Sequence, residues 1–588
     1  MTSRMTLLDY IGPYKLDGLE PLGRNAGVAK HTSDGFDAFL GNRGGASTST
    51  KKSTVHFALL KTCRGNLLSS QANSDKLAAA HFGKQFYVKK VVLLHFEART
   101  HPTLLHRASS AEFYLVIRFP RQACVSVAAM ASTKLIIRSI AIIGAGPSGI
   151  AAAKYLISEK VFTKISVFEQ RSNVGGIWNA DFTSPEVDVA TYPSPIYHGL
   201  ESNIPSEIMQ YHKQPFAPNV PLLPNDSQVL EYLRAYAEDV IPNVHLRLRH
   251  QVLDVSPLPT KKWRLKFNDL DADTVHEEIY DAVLIANGRY NKPYEPALPG
   301  LDRWKERYPN TVLHSKFYRN ERIFRDKLEK TNSAEQKVLI IGFSASGVDV
   351  ANGIEPFCAK PLLICQNSRD GLSPGSQGFA ERRAIFPSIV EFDISDRSVL
   401  FSNGKRETGL DYILLCTGYE YEYPFLSGLP GFEGGKGDGN TRTYQHIFHV
   451  DHVTLSFMTL PLRVVAFPFA ETQAAVVARV WSGRLSLPSY QEMVEWIGKV
   501  MYRRGTGKDF HKMGYPADAD YINDMHHWCQ QAEFETDATS LSPPLWGGRE
   551  RWLRRTLHNI KRATDERGEE RFLVKTVEDA GFFYADDS

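Results

Sequence analysis

Two glycine-spaced hexads hold the residues best suited to chemistry in this sequence. The first is Gly144-Ala145-Gly146-Pro147-Ser148-Gly149 and the second is Gly342-Phe343-Ser344-Ala345-Ser346-Gly347. Each follows an apolar, β-branched run ("KLIIRSIAII" from Lys134, "KVLIIG" from Lys337) and opens a helix-forming stretch ("IAAAKYLISEK", "VDVANGIEP"). A glycine-rich turn between a buried strand and a helix presents free backbone N–H groups at the positive end of the helix, where a diphosphate can sit. The three positions have separate duties. Gly144 permits the tight turn, Gly146 lets the pyrophosphate approach the backbone, and Gly149 lets helix and strand pack closely.

The residues downstream tell the two cradles apart. "KISVFEQ" (164–170) reads as a second strand closed by Glu169, twenty residues after Gly149, where a carboxylate accepts ribose hydroxyls. In the second unit Ser344 replaces the middle glycine. Its second strand, "PLLICQNSRD" (361–370), puts Asn367 at the place of the glutamate, followed by Ser368 and Arg369. A neutral residue beside an arginine suits a ribose 2′-phosphate, although Asp370 opposes one. The pattern assigns FAD to the first cradle and NADPH to the second. The reverse order, or a merely solvated Arg369, is the alternative.

These cradles need sheets to position them. "DAVLIANG" (281–288) and "DYILLCTG" (411–418) are apolar runs ending in a small residue and a glycine. Both are read as strands by which the chain returns to the first sheet, before and after the second cradle. The expected fold class is α/β, with two Rossmann-like dinucleotide-binding domains. The NADPH domain (301–405) is inserted in a discontinuous FAD domain (130–300 and 406–535). Residues 536–548 read as a linker, and "RERWLRRTLHNIKRATDERGEERF" (549–572) reads as a basic helix within the final stretch 536–588. Its interspersed acids suit a solvated helix better than a membrane surface.

Composition narrows the classes. The 588 residues carry a formal charge of +3, are 43% hydrophobic and 23% charged, and give no reason to expect a nucleic-acid partner. No run approaches the roughly 18 apolar residues of a membrane span, and no secretory signal is seen. The six cysteines lack paired spacing and suit a reducing compartment, so a cytoplasmic location is expected. A disulfide reductase would need a closely spaced cysteine pair, whereas Cys358 and Cys365 lie around a core strand. In "MHHWC" (525–529) adjacent histidines face apart on a helix, so no metal site is expected. Residues 1–130 hold 17 Lys/Arg against 8 Asp/Glu and show no sustained period. Residues 1–129 are expected to be a disordered extension or a mis-called start before Met130; their acids count against a transit peptide.

Over roughly 134–530 the chain resembles the flavin-containing monooxygenases, especially fungal members. Besides the hexads, the resemblance rests on "VGGIWN" (174–179), "LESNIPSEIM" (200–209), "YPNTVLHSKFY" (308–318), "CTGYEYEYPFL" (416–426) and "PLRVVAFPFAETQAAVVARVWSGRLSLPS" (461–489). In the family's F-x-G-x-x-x-H motif with its following aromatic, Tyr308 and Asn310 replace Phe and Gly, while His314 and Tyr318 remain. Tyr318 stands where Baeyer–Villiger relatives usually carry Trp, which favours heteroatom oxygenation. The resemblance implies an N,N-dimethylaniline monooxygenase type of enzyme. NADPH reduces FAD, O₂ adds to form a C4a-hydroperoxide, and the terminal oxygen passes to a small amine, sulfide or thiol. It also implies that Ser202-Asn203-Ile204-Pro205 matches the family's T/S-N-x-P motif. That nominates Asn203 as a neutral donor beside the flavin, against a plain turn-capping role. Gly175, Gly176, Ile177 and Trp178 are expected against the isoalloxazine. A Baeyer–Villiger or N-hydroxylating enzyme and a non-catalytic flavoprotein are the alternatives, and a homo-oligomer stays open.

Overall fold

The computed structural model describes residues 52–60, 91–99, 137–180, 193–325, 335–366, 382–533 and 540–585. The chain divides into two compact units, Met1–Thr133 and Lys134–Ser588. In the first, Lys52–Leu60 and Val91–Arg99 pair as antiparallel strands. The remainder of the expectation for residues 1–129 lies outside the described residues.

The second unit uses one arrangement twice. Ser139–Ile143, Lys164–Phe168, His245–Arg247 and Ala282–Ile285 are parallel strands in the spatial order fourth, first, second, third. Val338–Ile341, Leu362–Cys365, Arg383–Phe386 and Tyr412–Leu415 repeat that order in a second sheet. In both copies of this arrangement a three-stranded antiparallel meander separates the third strand from the fourth, His250–Tyr280 in one and Ile389–Glu407 in the other. Ile140 and Ala141 in the first sheet, and Leu339 and Ile340 in the second, are buried on opposite faces, which is why these strands read as unbroken apolar runs.

The repeat corrects one expectation. Tyr412–Leu415, within "DYILLCTG", does not return to the first sheet. It lies between Val312–His314 and Val338–Ile341 and closes the second sheet. The same device locks each fourth strand to its own first strand. Asp281 Oδ2 accepts the N–H of Ser139 at 2.9 Å, and Asp411 Oδ2 accepts the N–H of Lys337 at 2.9 Å. The second domain therefore runs past residue 405 to Leu415, and the strand that rejoins the first sheet is His452–Phe457, beside Ala282–Ile285.

The main core lies under the first sheet. Helix Ala466–Trp481 is buried from Phe467 onward and packs on helix Pro147–Ser158. A buried ion pair fastens the two ends: Arg484 Nε and Nη2 each donate to Glu159 at 2.7 Å. The expected basic helix is Gly548–Asp565, with Leu553, Leu557 and Ile560 turned into the core. Among the described residues no helix is long and apolar enough to cross a membrane.

Candidate active site

The first cradle uses its glycines for different physical reasons. Gly144 has φ +105°, and a Cβ there would stand 2.5 Å from the carbonyl oxygen of Ala286. A Cβ on Gly149 would overlap the carbonyl oxygen of Gly144. Both must be glycine for the fold. Gly146 differs: its φ is −75°, and a Cβ would meet nothing nearer than Gly176 Cα at 3.4 Å. The protein itself tolerates a side chain there, so the open floor is left for something outside the chain. Helix Pro147–Ser158 begins on Gly146 with no side-chain cap, and its positive end stays available to an anion. The residues present fit a dinucleotide diphosphate.

Glu169 braces the cradle itself. Its Oε2 accepts the N–H of Ala145 and its Oε1 the N–H of Arg171, both at 2.9 Å. Burial pushes its carboxyl above the usual range, and the backbone donors oppose that. The carboxylate thus braces the second residue of the hexad, and each oxygen keeps a lone pair for a ribose hydroxyl. Ser148 Oγ shares a 2.7 Å hydrogen bond with Thr459 Oγ1, and Thr459 N–H donates to Gln473 Oε1 at 2.7 Å. Thr459 and Gln473, which the sequence did not single out, tie the cradle to helix Ala466–Trp481. Gly175 N–H donates to Ala145 O at 2.9 Å, and the turn Gly176–Trp178 passes so close that a Cβ on Gly176 would lie 2.9 Å from Gly146 Cα. Gly176, Ile177 and Trp178 are therefore gathered at the first cradle.

The second cradle repeats the geometry. Gly342 has φ +91° and would clash through a Cβ with the carbonyl oxygen of Cys416, 2.5 Å away. Gly347 packs on Gly342 as Gly149 packs on Gly144. Ser344 is exposed just before helix Ala345–Ile354, again without a side-chain cap, and Ser346 is half-buried in its first turn. The strand ends correct the count made along the chain. Gly144 N–H bonds Phe168 O at 2.7 Å and Gly342 N–H bonds Cys365 O at 2.9 Å. The residue after each closes onto the third strand, Glu169 to Arg247 O and Gln366 to Phe386 O. Gln366, not Asn367, is the counterpart of Glu169, because the whole stretch from the last glycine of the hexad to the residue closing the second strand is one residue shorter in the second cradle. Aligning strand ends instead of counting from the last glycine would have found it. Asn367, Ser368 and Arg369 lie outside the described residues.

The Asn203 motif forms a tight turn. Ser202 Oγ donates to Ile204 O at 2.9 Å and accepts the N–H of Ile204 at 3.1 Å. Ser202 is buried and spent on this turn, while Asn203 is exposed at its tip. The chain leading in touches the second domain, where Tyr197 O–H donates to Asp349 Oδ2 at 2.8 Å on helix Ala345–Ile354. The chain leading out returns to the first, where Tyr211 O–H donates to Pro147 O at 2.7 Å. Among the described residues no hydrogen bond joins Asn203 itself to either hexad.

The family-motif residues 308–318 form a joint between the domains. His314 Nδ1 accepts the N–H of Lys316 at 3.0 Å, so its proton is on Nε2, which donates to Gly418 O at 3.1 Å. Burial pushes the imidazole pKa down, keeping it neutral. Asn310 has φ +65°, so the asparagine adopts the left-handed turn that a glycine would favour. Tyr318 packs edge-on against Tyr197 with ring centres 5.6 Å apart.

Two nested dinucleotide cradles served by one loop segment define a flavoprotein oxidoreductase. A family model described as flavin-binding monooxygenase-like matches residues 137–372 and 382–541, and the chain belongs to that family. The family implies FAD and NADPH as its cofactors. The chain is 32% identical over 434 residues to the flavin-containing monooxygenase FMO GS-OX-like 2 of Arabidopsis thaliana, covering 68% of this chain and 86% of that one. It is 29% identical over 360 residues to the thiol-specific monooxygenase of Saccharomyces cerevisiae, covering 60% and 78%. Among solved structures, S-allyl-L-cysteine S-oxygenase from Allium sativum matches with a TM-score of 0.61 and 26% identity, over 76% of this chain and 98% of that one.

Proposed function

We propose that the protein is an FAD- and NADPH-dependent monooxygenase that transfers one atom of O₂ to a nucleophilic sulfur of a small thiol or sulfide, with small amines as a second class. FAD, reduced by NADPH, supplies the electrons and the position at which oxygen is activated. The chain's own residues do the rest. The open N-termini of helices Pro147–Ser158 and Ala345–Ile354 hold the two diphosphates. Gly176, Ile177 and Trp178 cover the first cradle and exclude water from it. Asn203 offers a neutral amide N–H, which can hold an activated oxygen without supplying the acid proton that would release it as peroxide.

The observation that carries this reading is the segment 194–211. It reaches the helix of the second cradle through Tyr197 and the helix of the first through Tyr211, and exposes Asn203 between them. Sulfur is placed first because two of the relatives are named for oxygenation of thiols or of S-allyl-L-cysteine. The test is to supply the flavin-loaded enzyme with NADPH, O₂ and matched sulfides, thiols, amines and ketones. Sulfoxide or oxidised thiol should form with one NADPH consumed per product. Preferential conversion of ketones to esters would replace this reading by a Baeyer–Villiger one.

A further inference from the structure

The stretch beyond residue 541 lies outside the family match, yet two of its arginines converge on one short loop. Arg571 forks onto Glu201, with Nε and Nη2 at 3.0 and 2.9 Å from Oε1. Arg549 Nη1 donates to Glu207 Oε2 at 2.6 Å, while the other oxygen of Glu207 accepts the N–H of Val577 at 3.0 Å. Glu201 and Glu207 bracket the turn that carries Asn203. Between them runs a backbone ladder: Leu222 N–H donates to Val574 O at 2.8 Å, and Ser206 N–H donates to Leu222 O at 2.7 Å. Val574 and Val577 are buried in the same core cluster as Ile208 and Met209.

Exposed ion pairs are worth little, but the Glu201–Arg571 pair is shielded, its side chains 13% and 24% exposed. In the second pair Glu207 is 22% exposed and Arg549 39%, so that pair holds chiefly through Glu207, which also accepts the N–H of Val577. Forked arginine–carboxylate geometry also fixes direction as well as distance. Held at both ends, a loop this short has little freedom left at its tip.

We propose that the C-terminal segment is a positioning clamp for Asn203. Arg571 and Arg549, acting through Glu201 and Glu207, hold the Ser202–Pro205 turn so that the exposed carboxamide keeps one position while oxygen is transferred. This rests on the role given to Asn203 above, and the two arginines are positioning residues only.

The test uses the full-length, FAD-loaded protein with Arg571→Gln, Arg549→Gln, and the exchanged pair Glu201→Arg with Arg571→Glu. One readout is hydrogen exchange of the Ser202 and Ser206 amides, which needs no turnover. The other is the ratio of H₂O₂ to sulfoxide formed from methyl phenyl sulfide, beside the rate of flavin reduction by NADPH. Exchange should quicken in residues 200–210 and not in 139–158. The peroxide ratio should rise about tenfold in the single variants, as a loosened catalytic group predicts. Flavin reduction should be unchanged, and the exchanged pair should recover both readouts. Unchanged loop exchange, or a loosened loop with the parent's peroxide ratio, overturns the clamp. Should Arg571→Gln yield no flavin-loaded protein, Arg571→Lys keeps the charge, loses the fork and is read in the same way. Asn203→Ala is measured alongside. If it couples like the parent, the role of Asn203 falls and the clamp with it; if it uncouples and the arginine variants do not, the clamp alone falls.

Discussion

Gln366 stands in the second cradle where Glu169 stands in the first. The backbone N–H of each closes onto the end of its third strand, at 3.0 Å to Phe386 O and 2.9 Å to Arg247 O. At this place a dinucleotide presents its adenosine ribose. A 2′-phosphate would meet a like charge beside Glu169 and a neutral amide beside Gln366.

Coenzyme choice should follow that difference. Gln366→Glu is expected to raise the KM for NADPH more than that for NADH. Arg369→Ala should weaken NADPH by about ten- to a hundredfold, the loss of one charge-assisted contact of roughly 1.5–3 kcal/mol, and leave NADH nearly unchanged. Steady-state kinetics with both coenzymes decides it. Equal effects on the two would make Arg369 a structural residue.

The cradle glycines should separate binding from folding. Gly146→Ala fills the open floor, so flavin content should drop while the flavin-stripped protein melts like its parent. Gly149→Ala drives a methyl into the carbonyl of Gly144 and should cost about 1–3 kcal/mol or more in the stripped protein as well. Absorbance of bound flavin and melting of stripped samples are the measurements. A Gly146→Ala protein that keeps its flavin would show that the floor is not where the diphosphate lies.

Asn203→Ala should leave flavin reduction by NADPH intact, because hydride transfer depends on the two cradles. Oxygenation should instead fail into peroxide. Loss of one preorganised donor typically costs about 2.7–4 kcal/mol, so coupling should fall on the order of a hundredfold. NADPH consumed, peroxide released and product formed are measured in one sample. A variant that couples as well as its parent reduces Asn203 to a turn residue.

Acid should destabilise the fold through a buried histidine pair. His446 Nδ1 lies 3.0 Å from His511 Nδ1, and His511 Nε2 lies 3.0 Å from Asn440 Oδ1. Burial pushes His511 down to about 3, with Arg289 and Arg504 adding to the effect, and pushes His446 well below its ordinary value, with the His511 imidazole and Arg504 adding to it. The unfolded chain takes up these protons near pH 6.5 and the folded chain does not. Their contribution is therefore complete above that pH and is lost as pH falls toward the folded values, by up to about 1.4 kcal/mol per unit for each histidine. His511→Gln, which keeps a donor for Asn440, should flatten the fall in melting temperature between about pH 7 and about pH 5. An equally steep profile in the variant would remove the pair as the cause.

A chain beginning at Met130 should retain FAD, melting temperature and oxygenation. The family match begins at residue 137, and Lys134–Ser588 is compact by itself. Colourless or insoluble protein from that start would show that residues 1–129 contribute to the enzyme.

Both cradles were legible along the chain, because their signals are local, and the family's chemistry was legible in the motifs around them. A parallel strand buried on both faces is an unbroken apolar run, and a strand-to-helix turn that cannot hold a Cβ must be glycine. Long-range strand pairing settled which sheet received each run. Ala282–Ile285 and Tyr412–Leu415 look alike because each is the fourth strand of its own unit, and hydrogen bonds to Asp281 and Asp411 allot them to different sheets. The same holds for Gln366, whose equivalence to Glu169 is a matter of strand ends and not of counting. It holds also for the C-terminal arginines. Along the chain Arg549 and Arg571 read as a solvated basic face, and their partners Glu207 and Glu201 lie more than three hundred residues earlier. Ion pairs of that separation leave no periodic trace in the sequence, because nothing local requires them.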